Sequence, residues 1–202
     1  MKLRKSFHLH DERARVFSRI VDTVIPSFTY LNFNGISISL CEKDAIELSD
    51  DAAKIHVNYY RREILEKDER AISIVLISSL LKAELRKVMQ APAPVEDVFV
   101  SRKIAKTHQQ DLFYYWYLSL LYHQPKIATM EAFIGINIPW LSFYGIDDYD
   151  AEFLMNMVSR FSYPVSYEAQ AKELFVLLSG RLSLREVAAA TSAYERVVSC
   201  NS

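Results

Sequence analysis

A chain of 202 residues, half of them hydrophobic, can bury a sizeable core without support from an assembly. Its 24 Lys and Arg against 25 Asp and Glu give no positive excess of the kind that draws a protein to nucleic acid, so no nucleic-acid partner is expected. Cys41 and Cys200 are too far apart in sequence to read as a disulfide scaffold, which points to a reducing, cytoplasmic setting.

The N-terminal stretch "MKLRKSFHLHDERAR" is basic but lacks an apolar run and a small-residue cleavage site, so no export is expected. His8 and His10 alternate and could face one metal, but a surface segment is the preferred reading. From about Asp11 to Val24, the residues Ala14, Phe17, Ile20, Val21 and Val24 recur at helical steps, and Pro26 stops the helix. In "YLNFNGISISL", Asn34-Gly35 between two short runs predicts a β-hairpin. "AIELS" and "KIHVNY" predict a further strand pair around the acidic turn "DDAA", so three or four strands fall within 29–60.

After Asp68 the pattern is helical, over about 68–89, 96–123, 126–135, 149–161, 166–179 and 183–198. No apolar run approaches the roughly 20 residues that cross a bilayer, so no membrane association is expected. "APAP" at 91–94 predicts a hinge between an N-terminal lobe, 1–90, and a helical C-terminal lobe, 95–202. Gly180 fits a helix C-cap, and Ser183 with Glu186 fits a capping box. The expected fold is α+β and predominantly helical, with a small N-terminal sheet packed on helices.

The segment "SIVLISSLLKAEL" is apolar on nearly every side, yet Ser78, Ser79, Lys82 and Arg86 share one arc of the helix. Ile72, Leu76, Ile77, Leu80, Leu81 and Val88 cover the remainder. A solvated face accounts for such a stripe. The order of helix, short strands and then an apolar helix with polar positions at i, i+1 and i+4 also resembles the zincin metallopeptidases. In that comparison, which covers residues 11–90, Ser78, Ser79 and Lys82 stand where the HExxH motif has His, Glu and His. Two imidazoles one turn apart hold Zn²⁺ in that motif and the carboxylate takes a proton from metal-bound water; none of the three groups is present. The resemblance therefore implies a catalytically dead scaffold without metal or cofactor. It also implies a later helix supplying a Glu, for which "SYEAQAKELF" offers Glu168 and Glu173, and a Lys82–Glu168 pair in the metal's place.

Other motifs carry rival chemistries. Ser79 and Lys82 match S-x-x-K, the nucleophile motif of β-lactamases, but apolar residues precede them and no K-T-G follows; "KTH" at 106–108 lacks the glycine. Tyr114, Tyr115, Trp116 and Tyr117 crowd one helix, as core or as a partner surface. Asp147, Asp148, Asp150 and Glu152 place negative charge near a helix start rather than forming a calcium loop. His56, His108 and His123 sit at no ligand spacing. The sequence thus predicts a non-catalytic protein- or peptide-binding regulatory module, ahead of a helical adaptor and of a small serine hydrolase, and leaves the oligomeric state open.

Overall fold

The computed structural model describes residues 2–7, 10–28, 31–105 and 184–199. The chain divides into two compact units, Met1–Val88 and Met89–Ser202. The first is an α/β layer built as β1 (Lys2–Phe7), α1 (Glu12–Val24), a 3₁₀ turn (Ile25–Phe28), β2 (Gly35–Cys41), β3 (Ala45–Leu48), β4 (Ala52–Asn58), α2 (Arg62–Leu65) and α3 (Glu69–Arg86). The fold class is α+β.

Helix α1 opens at Asp11, whose extended backbone lets its Oδ1 accept from the Ala14 N–H at 3.2 Å. Its buried residues are Ala14, Phe17, Ile20, Val21 and Val24, the stripe expected from the spacing. Pro26 sits in the 3₁₀ turn that replaces the helix, where its missing N–H leaves no i−4 bond unmade. Phe17 meets Phe7 of β1 edge to face, with centroids 5.6 Å apart, which fixes the helix over the sheet.

The strands are ordered β1-β2-β4-β3; β1, β2 and β4 are parallel and β3 is antiparallel to β4. The β1–β2 step is parallel because α1 carries the chain back across the sheet. Alternation then divides the two faces. Ile36, Ile38 and Leu40 of β2 and Ala53, Ile55 and Val57 of β4 are buried under the helices, while Ser37, Ser39, Lys54 and His56 share the opposite face.

The Asn34-Gly35 hairpin does not form. The N–H groups of both residues donate to the Asp51 carbonyl at 2.7 and 3.3 Å, neither residue takes a positive φ, and Gly35 opens β2. The partners of β2 are instead β4 and β1, the latter a strand outside the predicted 29–60 region, where Lys2, Arg4 and Lys5 mask the alternation. The expected pair around "DDAA" is present as β3 and β4, with Ile46 opposite Ile55.

Asp68 caps α3 by accepting from the N–H groups of Arg70 and Ala71, both at 3.1 Å. Ion pairs Arg19–Glu69 and Lys67–Glu12, the latter 2.6 Å, join α1 to the start of α3. The hydrogen bond from Arg13 holds the Asp11 carboxyl below the usual carboxylate range, and the hydrogen bond from Lys67 does the same for Glu12. A depressed folded pKa stabilises above the unfolded pKa, and that contribution disappears as the pH falls through the folded value. The denaturant midpoint is therefore expected to drop as the pH is lowered from about 5 to about 2, the range in which depressed carboxylates titrate. Asp11→Asn with Glu12→Gln should flatten that slope, as read by urea titrations at each pH.

In the second unit, α4 (Ala93–Ala105) and α5 (Leu184–Ser199) are in contact. Val95, Phe99, Val100 and Ile104 on α4 and Val187, Ala190 and Tyr194 on α5 are buried. Helix α4 starts three residues before the predicted 96, because Pro94 falls within the first turn, where a backbone donor is not needed. The predicted helices at 126–135, 149–161 and 166–179, and the Gly180 cap, lie outside the described residues. Among those residues, no helix is long and apolar enough to cross a membrane.

Candidate functional site

Helix α3 is buried on most of its circumference by Ala71, Ile72, Ile74, Val75, Leu76, Ile77, Leu80, Leu81, Ala83 and Leu85. The polar stripe interrupts this surface. Ser78, Ser79 and Lys82 are half-buried and Arg86 is exposed, so the stripe is not the freely solvated face that spacing alone allows. Val88, expected to continue the apolar side, lies past the helix end and is 62% exposed. The predicted partner Glu168 and the aromatic cluster Tyr114, Tyr115, Trp116 and Tyr117 lie outside the described residues.

The Ser79 hydroxyl donates to the Val75 carbonyl one turn back, at 2.7 Å. A serine held this way in mid-helix lacks the helix-start exposure of an S-x-x-K nucleophile. Ser79→Ala is accordingly expected to change stability by less than about 0.5 kcal/mol in denaturant melts. A fluorophosphonate probe should leave the protein unlabelled; labelling that vanishes in Ser79→Ala would restore the hydrolase reading.

A second polar group lies on the face of the sheet opposite the buried residues of β2 and β4. Ser39 and His56 are register neighbours on β2 and β4, and Ser39 Oγ lies 2.6 Å from His56 Nδ1. His56 Nε2 is 3.4 Å from Glu47 Oε1 on β3, and Lys54 Nζ lies 3.3 Å from Glu47 Oε2. The sequence reading missed this Ser–His–carboxylate sequence because its members are 17 and 9 residues apart and meet only through the β2–β4–β3 register. The alternation of "ISISL" and "KIHVN" was the available signal. Strand β2 is paired on both sides, so its own N–H groups serve the ladder and offer no oxyanion donor beside Ser39. Among the described residues, the arrangement is a polar lattice across three strands.

At the carboxyl ends of the strands, Arg61 bridges Asp44 at 3.1 Å and the buried Glu63 at 3.4 Å. Asp44 also accepts from the Asn58 N–H at 2.9 Å, so the β2–β3 loop is clamped to the end of β4. Tyr59 Oη lies 3.4 Å from Tyr60 Oη and 3.1 Å from Glu42 Oε1. The Tyr60 contact first, then desolvation and Glu42, push the Tyr59 phenol above its ordinary range. An open hollow of about 490 Å³ is lined by Phe7 of β1 and by His10, Asp11, Ala14, Arg15 and Ser18 at the start of α1.

No family model, curated protein or solved structure matches this chain. Among the described residues, no three His, Cys, Asp or Glu side chains group as metal ligands. The remaining distinctive arrangement joins α3 to the edge of the sheet: α3 packs on β3 and β4, and β3 is an edge strand running antiparallel to its neighbour.

Proposed function

We propose that the N-terminal unit is a non-catalytic, zincin-like scaffold that binds an extended segment of a protein or peptide along β3, beside the polar stripe of α3. The observation that carries this reading is the packing of an antiparallel edge strand on the helix that holds Ser78, Ser79 and Lys82. An edge strand offers main-chain donors and acceptors to an incoming strand, which supplies affinity without a catalytic group. Neither serine hydroxyls nor an ammonium provide the imidazole ligands or the general base of the metallopeptidase motif. The succession of helix α1, strands β2 to β4 and then, after the short α2, the apolar α3 supports the kinship, and the absent ligand types in α3 support the loss of metal chemistry.

The Ser49 N–H points inward to the Ala52 carbonyl at 2.9 Å, so alternation turns the N–H of Leu48 outward. Proline is tolerated at such an edge position but removes the outward donor. Peptides selected on the intact protein by display are expected to lose binding by at least about tenfold in Leu48→Pro, with the melting curve preserved. Unchanged binding would move the site elsewhere. Elemental analysis after metal-free purification should find no stoichiometric zinc, and added Zn²⁺ should not raise the melting temperature; one tightly held zinc per chain would overturn the non-catalytic assignment.

A further inference from the structure

The sheet has a second edge, and its chemistry differs from that of β3. Among the described residues, strand β1 pairs only with β2, in an unbroken register from Lys2 opposite Gly35 to Phe7 opposite Leu40, with no proline and no bulge. The Lys2 N–H donates inward to the Asn34 carbonyl at 2.8 Å. Alternation then directs the N–H and C=O groups of Leu3, Lys5 and Phe7 outward, where nothing among the described residues pairs with them.

The charges on this edge fall into two sets. Lys5 faces α1 and is held by Asp22 at 2.7 Å and Ser18 at 2.9 Å. Lys2 and Arg4 lie on the face opposite Lys5 and are exposed, and neither has a carboxylate partner among the described residues. On the opposite edge, by contrast, Glu47 of β3 faces Lys54 of β4, and the two charges pair.

Charged side chains on an edge strand commonly serve to prevent sheets from joining. A second copy of β1 would indeed set Lys and Arg against Lys and Arg, which opposes self-pairing. The same charges favour an incoming strand with acidic residues at alternate positions, since opposite charges on neighbouring strands attract across one face. Because the β3 edge is neutralised by its own neighbour and β1 is not, only β1 discriminates by charge.

We propose that β1 is a docking edge for an extended acidic segment of another protein, which adds as a fifth strand with carboxylates at i and i+2 facing Lys2 and Arg4. The outward groups of Leu3, Lys5 and Phe7 supply the ladder, and the two cations set the register. This edge is independent of the one assigned to β3 above.

The probe is a fluorescent peptide, Gly-Glu-Val-Glu-Val-Glu-Val-Gly amide, titrated with the full chain and followed by anisotropy. A peptide of the same composition with its glutamates in one block, and an alternating Lys-Val peptide, are the controls. Saturable binding of the alternating acidic peptide is expected, at least about tenfold tighter than that of the block peptide. Lys2→Glu with Arg4→Glu should reverse the preference toward the Lys-Val peptide. These residues are exposed, so the double variant should retain the wild-type melt. Hydrogen exchange should show new protection at the Leu3, Lys5 and Phe7 amides, and Leu48→Pro should leave the affinity unchanged. Equal binding of the block peptide, absent protection at those amides, loss of binding in Leu48→Pro, or no saturable binding would each overturn the proposal.

Discussion

Phe17→Ala is expected to destabilise the N-terminal unit by about 3–5 kcal/mol, the scale for truncating a fully buried aromatic side chain. Phe17 has no exposed surface, and its ring meets Phe7 edge to face at the place where α1 lies over β1. Removing it takes away the burial of the ring, its contact with Phe7 and the packing of one side of a layer in which α1 also touches α3. Leucine fills more of the same volume, so Phe17→Leu should cost clearly less than the alanine variant. Urea titrations followed by circular dichroism provide the check. A lower midpoint with an unchanged slope is the expected result, whereas a loss below about 1 kcal/mol would show that the contact between α1 and the sheet does not hold the unit together.

The second large effect is a contrast between neighbouring positions on α3. Leu80 is fully buried and Ser78 is half-buried, two residues away in sequence but separated by about 200° around the helix. Leu80→Asp should cost more than about 4 kcal/mol at neutral pH, because a carboxylate in an apolar interior either remains charged at great cost or must bind a proton. Its folded pKa would be raised, so the penalty should shrink as the pH falls and protonation becomes easy. Ser78→Asp should cost less than about 1.5 kcal/mol, the scale for a substitution at a partly solvated polar position. Chemical denaturation of both variants at neutral and acidic pH measures the contrast. Equal, small effects would mean that α3 has an ordinary solvent side in place of one narrow polar stripe.

The sequence reveals those parts of the fold that depend on local periodicity. Ala14, Phe17, Ile20, Val21 and Val24 mark α1 because one helix face alone supplies its burial. The β3–β4 pair is equally legible, since its turn and its two alternating runs are contiguous. The β1–β2 pairing is not. It joins residues 33 apart, and the basic residues of β1 hide the alternation of an edge strand. Asn34-Gly35 misleads for a related reason: its turn preference is overridden when β2 finds neighbours on both sides and Asp51 supplies an acceptor for both N–H groups. At the candidate site, the Ser78, Ser79 and Lys82 stripe is visible from helical spacing alone. The Ser39–His56–Glu47 lattice needs the strand register, which no short window of sequence contains.

The position of β4 sets a constraint on how this unit can form. Among the described residues, the strand that comes last in the chain lies between β2 and β3, and both of its edges are occupied. A nascent chain that ends before Ala52 presents Ile36, Ile38 and Leu40 on a strand with an open side, and β3 has nothing to pair with. The β3–β4 hairpin, closed by a short turn, is the cheapest contact to make first; β2 must then accept the hairpin from the side, and β1 joins across the long loop that contains α1. The sheet therefore grows outward from β2, which receives the hairpin on one edge and β1 on the other, and translation must proceed past Asn58 before this most apolar strand is shielded on both edges.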